Sequence, residues 1–384
     1  MGALERALGW LDGQAEEARA LLGSLVRVGS FTGHREGGNE VGRLLRAAFE
    51  GPDLACEAVA SERYADHLVF TTPAPGRRLA LVGHLDTVHP PGGFEGFEVE
   101  GGVARGPGVL DMKGGLVVTG LALAALRAGG LLAKLPLVWV VVSDEEVGSP
   151  ESQPLLLARA GDAVAALVFE AGRPGDAIVT RRKGTGTITA LAEGRAAHAG
   201  TAHAEGVSAI WALARFVDRV QRLTDAARGV TVNVGTFVGG DAKNTVAERA
   251  QAGIDVRFVH PSDGDAVMVA LHEAALDAAA SVPGARIVLR GGISRAPLER
   301  TSASVALAEA YGACARASGL GDGEADLSGG GSDANTLAAA GVATIDGLGP
   351  RGSGLHTRDE QIVLATLLPK AAAVVRLLAP RGGG

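Results

Sequence analysis

The sequence predicts an α/β protein: a mostly parallel sheet with helices on both faces, plus an inserted α/β sandwich with a four-stranded antiparallel sheet and two helices. Three observations predict it. Continuous apolar runs such as LPLVWVVV (135–142) and AVAALVF (163–169) alternate with helical patterns, as expected for strands buried on both faces. From about residue 184 the texture changes to half-exposed alternation in the order β-α-β-β-α-β. After Pro297 the first texture returns.

In chain order, residues 5–28 read as one amphipathic helix and 38–50 as a second. HLVFTT (67–72) and RRLALVGHLDTV (77–88) read as strands joined through the turn residues APG. A glycine-rich passage over 91–115 precedes a helix that ends at Gly129-Gly130. The strand 135–142, a turn marked by Ser149-Pro150, a helix over 152–160 and the strand ending at Glu170 follow.

The inserted part begins with GTGTITALAEG, a half-exposed strand, and GVSAIWALARFVDRVQRL, a long helix. GVTVNVGTFVGG and RAQAGIDVRFV are further strands, AVMVALHEAALDAA the second helix, and ARIVLRGG an edge-like strand. A helix over 301–318, the glycine-rich DLSGGGSDANTLAAAG, the strand VATIDGL, a loop GSGLHTRDE and a helix over 361–378 complete the chain. The expected division is 1–181 and 297–384 for the outer domain and 182–296 for the insertion.

Composition narrows the function. With 36 basic and 43 acidic residues the formal charge is −7, which gives no support for a nucleic-acid surface. The only cysteines, Cys56 and Cys314, provide neither a disulfide framework nor a CxxC metal site. The first residues carry acidic groups and lack the pattern of a signal peptide, and the apolar runs are too short to span a bilayer. A cytoplasmic soluble protein without a membrane partner is the expectation. The first strand does not lead into a GxGxxG opening a helix, which speaks against a nicotinamide or flavin enzyme. GGGSDAN before a helix is a place for an anion, but no phosphate ligand is assigned to it.

In open α/β sheets, functional groups gather beyond the carboxyl ends of the strands. His84 and Asp86 in GHLDT, Asp111 in GVLDMKGG, Glu145 and Glu146 in SDEE, Glu170 in VFEAG and His356 in GLHTRD all fall at such positions. Imidazoles and carboxylates without a thiolate suit zinc, and cobalt or manganese less selectively. Taken singly, each has a plainer reading. His84 could be a polar strand end, Asp111 a turn residue, the glutamate pair a solvated turn, and His356 a surface loop residue. Glu170 directly follows an apolar strand, where a buried carboxylate needs a partner.

The motifs GHLDTV, GPGVLDMKGG, SDEEVGSP, GRAAHAG, GGGSDAN and GLHTRDE occur in an order that resembles the M20 family of zinc metallopeptidases. The resemblance runs over nearly the whole chain. It is strongest to the glutamate carboxypeptidase (carboxypeptidase G2-like) branch, with acetylornithine and succinyl-diaminopimelate deacylases as relatives. It implies a hydrolase holding two divalent ions per subunit, Zn2+ first, Co2+ or Mn2+ as alternatives. Asp111 would bridge the ions, His84 and Glu170 completing one site and Glu146 and His356 the other. Asp86 would orient His84, Glu145 would act as general base, and Asp111-Met112 would be a cis peptide bond.

The inserted domain would form a lid and a homodimer surface. His198 and Asn244 would reach the partner subunit's active site, and Arg295, or its rival Arg290, would hold a substrate carboxylate. Alanine follows Glu170 where many relatives have proline. TRRKGTG, at the approach to the insertion, also departs from the carboxypeptidase pattern. The implied substrate is a small peptide or N-acyl amino acid. The alternatives are an N-acyl-amino-acid deacylase and a catalytically inactive metal-binding scaffold. For SDEE, a nearly extended backbone would send adjacent side chains in different directions, so that Glu146 binds metal while Glu145 faces water.

Overall fold

Strand Leu137–Val142 is buried along its whole length, and the main sheet is built around it. The computed structural model describes residues 2–379. Six strands lie in the order Ala55–Val59, His67–Thr71, Leu137–Val142, Leu79–His84, Ala165–Val168, Thr344–Ile345. The last four pair in parallel; the first two join antiparallel at one edge. The sheet is therefore mainly parallel, as its unbroken apolar strands require.

Phe70 stacks on Trp139 at 4.7 Å, and Phe49 meets the same indole edge-on at 5.8 Å. Helices Gly114–Ala128 and Leu367–Leu378 contribute to the same aliphatic core, where each fully buried large side chain stabilises by ~1.5–3 kcal/mol before entropy is counted. Gly120 allows the close approach: a Cβ there would lie 2.0 Å from the Phe49 ring. The stretch Val109–Ala128 is long and apolar enough to cross a membrane, with mean hydropathy 1.6, but 94% of it is buried inside the fold.

The described residues form two compact units, one of residues up to Arg181 with Glu299–Leu327 and those from Ser332, the other Arg182–Leu298 with Ser328–Gly331. The second unit is an α/β sandwich. Its antiparallel sheet has the order Thr231–Gly239, Arg249–Phe258, Gly184–Glu193, Arg286–Arg295. Strand Gly184–Glu193 buries every second residue, and Ile188 and Ala190 pack with Leu213 and Phe216 of helix Ala209–Val220 and Leu271 of helix Pro261–Ala280.

Several elements differ from expectation. The single helix over 5–28 is two, Ala3–Leu11 and Ala15–Val26, because Asp12-Gly13 are weak helix formers that let the chain turn. The helix expected over 361–378 starts at Leu367; Gln361–Val363 is instead a strand paired with Val103–Arg105. The passage 91–115 thus contains short strands, Glu98–Glu100 and Val103–Arg105, inside a small four-stranded sheet. Glutamine, isoleucine and valine fit a strand as readily as a helix, and only the distant partner decides. Edge strand Ala55–Val59 has little apolar alternation and was not predicted.

Candidate metal centre

Strand register places the site. His84 closes Leu79–His84 opposite Val142, so its side chain and the Glu145–Val147 turn leave the same end of the sheet. Glu170 lies two residues beyond Ala165–Val168 at that end. Asp111 sits in a non-helical stretch before helix Gly114–Ala128, and the Asp111-Met112 peptide bond is cis. Gly108, at φ 73°, makes the turn that brings the chain to Asp111.

These residues form two groups around one carboxylate. Asp111 Oδ1 lies 3.0 Å from His84 Nε2, and Oδ2 lies 3.0 Å from His356 Nε2. Glu170 Oε1 is 3.8 Å from His84 Nε2; Glu146 Oε2 is 3.4 Å from His356 Nε2. Within each triad, His84–Asp111–Glu170 and Asp111–Glu146–His356, ligand atoms lie within 4.8 Å of one another. His356 adopts φ 60° at the tip of its loop.

The His84 ring is fixed from behind, though not mainly by the expected carboxylate. Its Nδ1 lies 3.0 Å from the main-chain oxygen of Asp86 and 3.4 Å from Asp86 Oδ1. The Asp86 carboxylate accepts from Thr32 Oγ1 at 2.8 Å, from Glu145 N at 3.3 Å and from Glu146 N at 3.2 Å. It therefore anchors the turn that carries both glutamates. That turn is a 3-10 segment, Glu145–Val147, and not the extended backbone expected. Successive side chains of a 3-10 turn are about 120° apart, so the two carboxylates still diverge.

The electrostatics describe proton traps. Burial raises the Glu170 carboxyl well above its usual range, and the neighbouring Asp111 charge raises it further. Burial likewise raises Glu146. Burial alone would raise Asp111, but hydrogen bonds from His356 and His84 outweigh it and hold the group well below the carboxylate range. His356 is pushed up to about 10, first by its hydrogen bond to Asp111 and then by Glu146. Burial works against a charged His84, yet hydrogen bonds to Asp111 and Asp86 raise it well above an ordinary imidazole.

Three carboxylates at such close range need positive charge among them. Divalent cations meet that need, and the nitrogen and oxygen donors suit zinc, cobalt or manganese. Glu146 Oε1 is buried without a hydrogen-bond partner among the described residues, an orphaned acceptor that a cation would satisfy. The donor set fits.

The other predicted residues lie in the second unit. His198 belongs to the two-residue strand Ala197–His198, paired with Thr245–Val246, and Asn244 accepts the amide of Ala199 at 2.9 Å. His198 and Asn244 are thus neighbours, and both are exposed. Gly200 N and Thr201 N point at His198 Nδ1 at 3.2 and 3.1 Å. A neutral ring that accepts there carries its proton on Nε2. Arg295 is buried at the end of its strand beside Gly331, whereas Arg290 is exposed in mid-strand.

Two residues escaped the sequence reading. Buried Arg182 directs Nη1 at Gly330 O, 3.1 Å away, and at Ser328 Oγ, 3.4 Å away. Glu360, 1% exposed, binds the loop that carries Asp111. Its only signal was its place in GLHTRDE, four residues after His356.

A mainly parallel sheet, an inserted sandwich and two triads sharing a carboxylate define a metal-dependent amide hydrolase fold and site. The chain belongs to Peptidase family M20/M25/M40, whose model matches residues 80–379. It is 28% identical over 370 residues to carboxypeptidase G2 of Pseudomonas sp. (strain RS-16), covering 94% of this chain and 89% of that protein. A succinyl-diaminopimelate desuccinylase of Paracoccus denitrificans is 29% identical over 295 residues, covering 68% of this chain and 73% of that one. Among solved structures, aminopeptidase PepT of Bacillus cereus superposes with a TM-score of 0.75 at 23% identity, covering 95% of this chain and 98% of that one. That last likeness is one of fold.

Proposed function

We propose that this M20 enzyme hydrolyses an amide bond next to an amino acid with a free carboxylate, in the manner of a glutamate carboxypeptidase. The observation that carries the reading is Asp111 lying between His84 and His356, with Glu145 on the adjoining turn. His84, Asp111 and Glu170 would hold one divalent ion, and Asp111, Glu146 and His356 a second, Zn2+ first and Co2+ or Mn2+ as alternatives. When bound, such ions polarise an amide carbonyl and acidify a water.

Glu145, 8% exposed and anchored through its amide, takes the proton of the attacking water and returns it to the departing amine. His198 hydrogen-bonds the carbonyl oxygen through its Nε2–H as negative charge develops there. Buried Arg295, rather than exposed Arg290, grips the substrate carboxylate, and Asn244 supplies a further polar contact.

His198 and Asn244 act in the site of a second copy of this chain in this reading. Support for such a homodimer comes from strand Thr231–Gly239, which ends its sheet and exposes Phe237 and Val238, while Trp211 is exposed on helix Ala209–Val220.

The test is a competitive assay of the Zn2+- or Co2+-loaded protein on N-acyl glutamates, N-acetyl amino acids and short dipeptides, reading released amine. Strong selection for a C-terminal glutamate supports the proposal. The likeness to the desuccinylase favours a second reading, an N-acyl-amino-acid deacylase, which preference for another free-carboxylate amino acid would establish. No amine release from any substrate by a fully loaded protein would leave an inactive scaffold.

A further inference from the structure

We infer that Glu360 is the positioning residue of the shared carboxylate Asp111, and that His89 sets Glu360 for that task. The inference rests on the two-ion reading above and concerns how this chain prepares its ligands. Glu360 Oε1 accepts the amides of Leu110 at 2.8 Å and Asp111 at 3.0 Å. Its Oε2 takes the amide of Gly108 at 3.0 Å, and His89 Nε2 lies 2.9 Å from the same oxygen. Four donors thus converge on one buried carboxylate.

Those three amides belong to a stretch that cannot satisfy itself. Gly108 has φ 73° and Asp111 has φ −120° and ψ 93°, so the regular ladder begins only at the following helix. Buried amides without a partner are costly, and an ionised acceptor binds them more strongly than a neutral one. Holding the backbone on both sides of Leu110 fixes the plane of Asp111, which must present one oxygen to each triad. A loosened Asp111 would disturb both triads at once.

The same carboxylate joins three ligand-bearing segments. Glu360 follows His356 by four residues and precedes strand Gln361–Val363, and its main-chain oxygen lies 3.3 Å from Gly106 N. His89 follows His84 by five residues on the segment leaving the strand, with its ring against the edge of Phe94 at 5.1 Å. Through Glu360 the segments of His84, Asp111 and His356 meet at a point outside both triads. If Nε2 carries the proton, His89 donates the fourth hydrogen bond, which keeps Oε2 turned toward Gly108.

Co2+ titration of the metal-stripped protein, followed by calorimetry and by the visible bands of the bound ion, tests this. Glu360→Gln keeps the shape but turns an amide NH2 toward donors. It is expected to weaken both Co2+ binding steps ~10–100-fold and to shift the bands. Glu146→Gln, by contrast, weakens one step. His89→Leu should weaken both steps less strongly, and His89→Gln, which can restore an N–H donor, should recover most of the loss. Wild-type affinity and spectrum in Glu360→Gln overturn the inference. Should that variant not fold by circular dichroism, equal affinities of His89→Leu and wild type overturn it instead. A wild-type chain binding fewer than two Co2+ overturns the two-ion reading itself, and this inference with it.

Discussion

The two units carry functional candidates in opposite styles. In the outer unit, His84, Asp86 and Asp111 are buried; main-chain groups hold His84 and Asp86, and the Glu360 carboxylate takes the amide of Asp111. In the inserted unit, His198 and Asn244 stand exposed on a ladder of two residues per strand. Preorganised ligands lower the cost of binding an ion, while exposed donors are free to meet a group from another molecule. In the proposed reading, the contrast separates residues that build a site from residues that would complete one in a second copy of the chain.

Substitutions that split these styles can break or sharpen the comparison. The largest effect is expected for Glu145→Gln: turnover falls by ~100–10,000-fold, while elemental analysis still finds both ions. Near-normal turnover would remove Glu145 as the base. His198→Ala should lower kcat by ~100–1000-fold with unchanged metal content, the range seen when one oxyanion donor is lost. An effect on metal content instead would place it with the builders. Glu146→Gln should lose one ion and spare the other, read by elemental analysis; full occupancy would rule out its ligand role.

The smallest effect is one of pH. In the metal-free protein His356 is raised from 6.5 to about 10, so the folded state binds the extra proton. Its contribution to stability is complete below pH 6.5 and disappears as pH rises through 10. The raised Glu146 and Glu170 work in the same direction from lower pH. Metal-free protein should therefore melt progressively lower from pH 7 to 10, as scanning calorimetry can record. Metal-loaded protein, whose ligands have already lost their protons, should not follow that decline.

Much of this was legible in the chain. Buried strands announced themselves as apolar runs, because a strand covered on both faces has no polar side to show. Position marked seven polar residues at or just past such runs or within glycine-rich turns, and the resemblance to the M20 family singled out five of them as ligands. What escaped depended on distant partners. Gln361–Val363 is a strand only because Val103–Arg105 lies beside it. Asp86 was expected to orient His84 with its carboxylate, but the main chain does most of that and the carboxylate holds the glutamate turn. Glu360 stood among charged loop residues, and nothing local distinguished a buried acceptor of four donors from a solvated acid.

The Asp86 carboxylate has one more consequence. Its two oxygens grip consecutive amides, one under Glu145 and one under Glu146. Proposed base and proposed ligand are therefore mounted on a single hinge plate. An engineer wishing to retune proton transfer by shifting Glu145 would drag Glu146 with it and alter the second triad. Backbone shifts of this turn should accordingly alter proton transfer and metal retention together, whereas a side-chain substitution such as Glu145→Gln leaves the turn and the second triad in place.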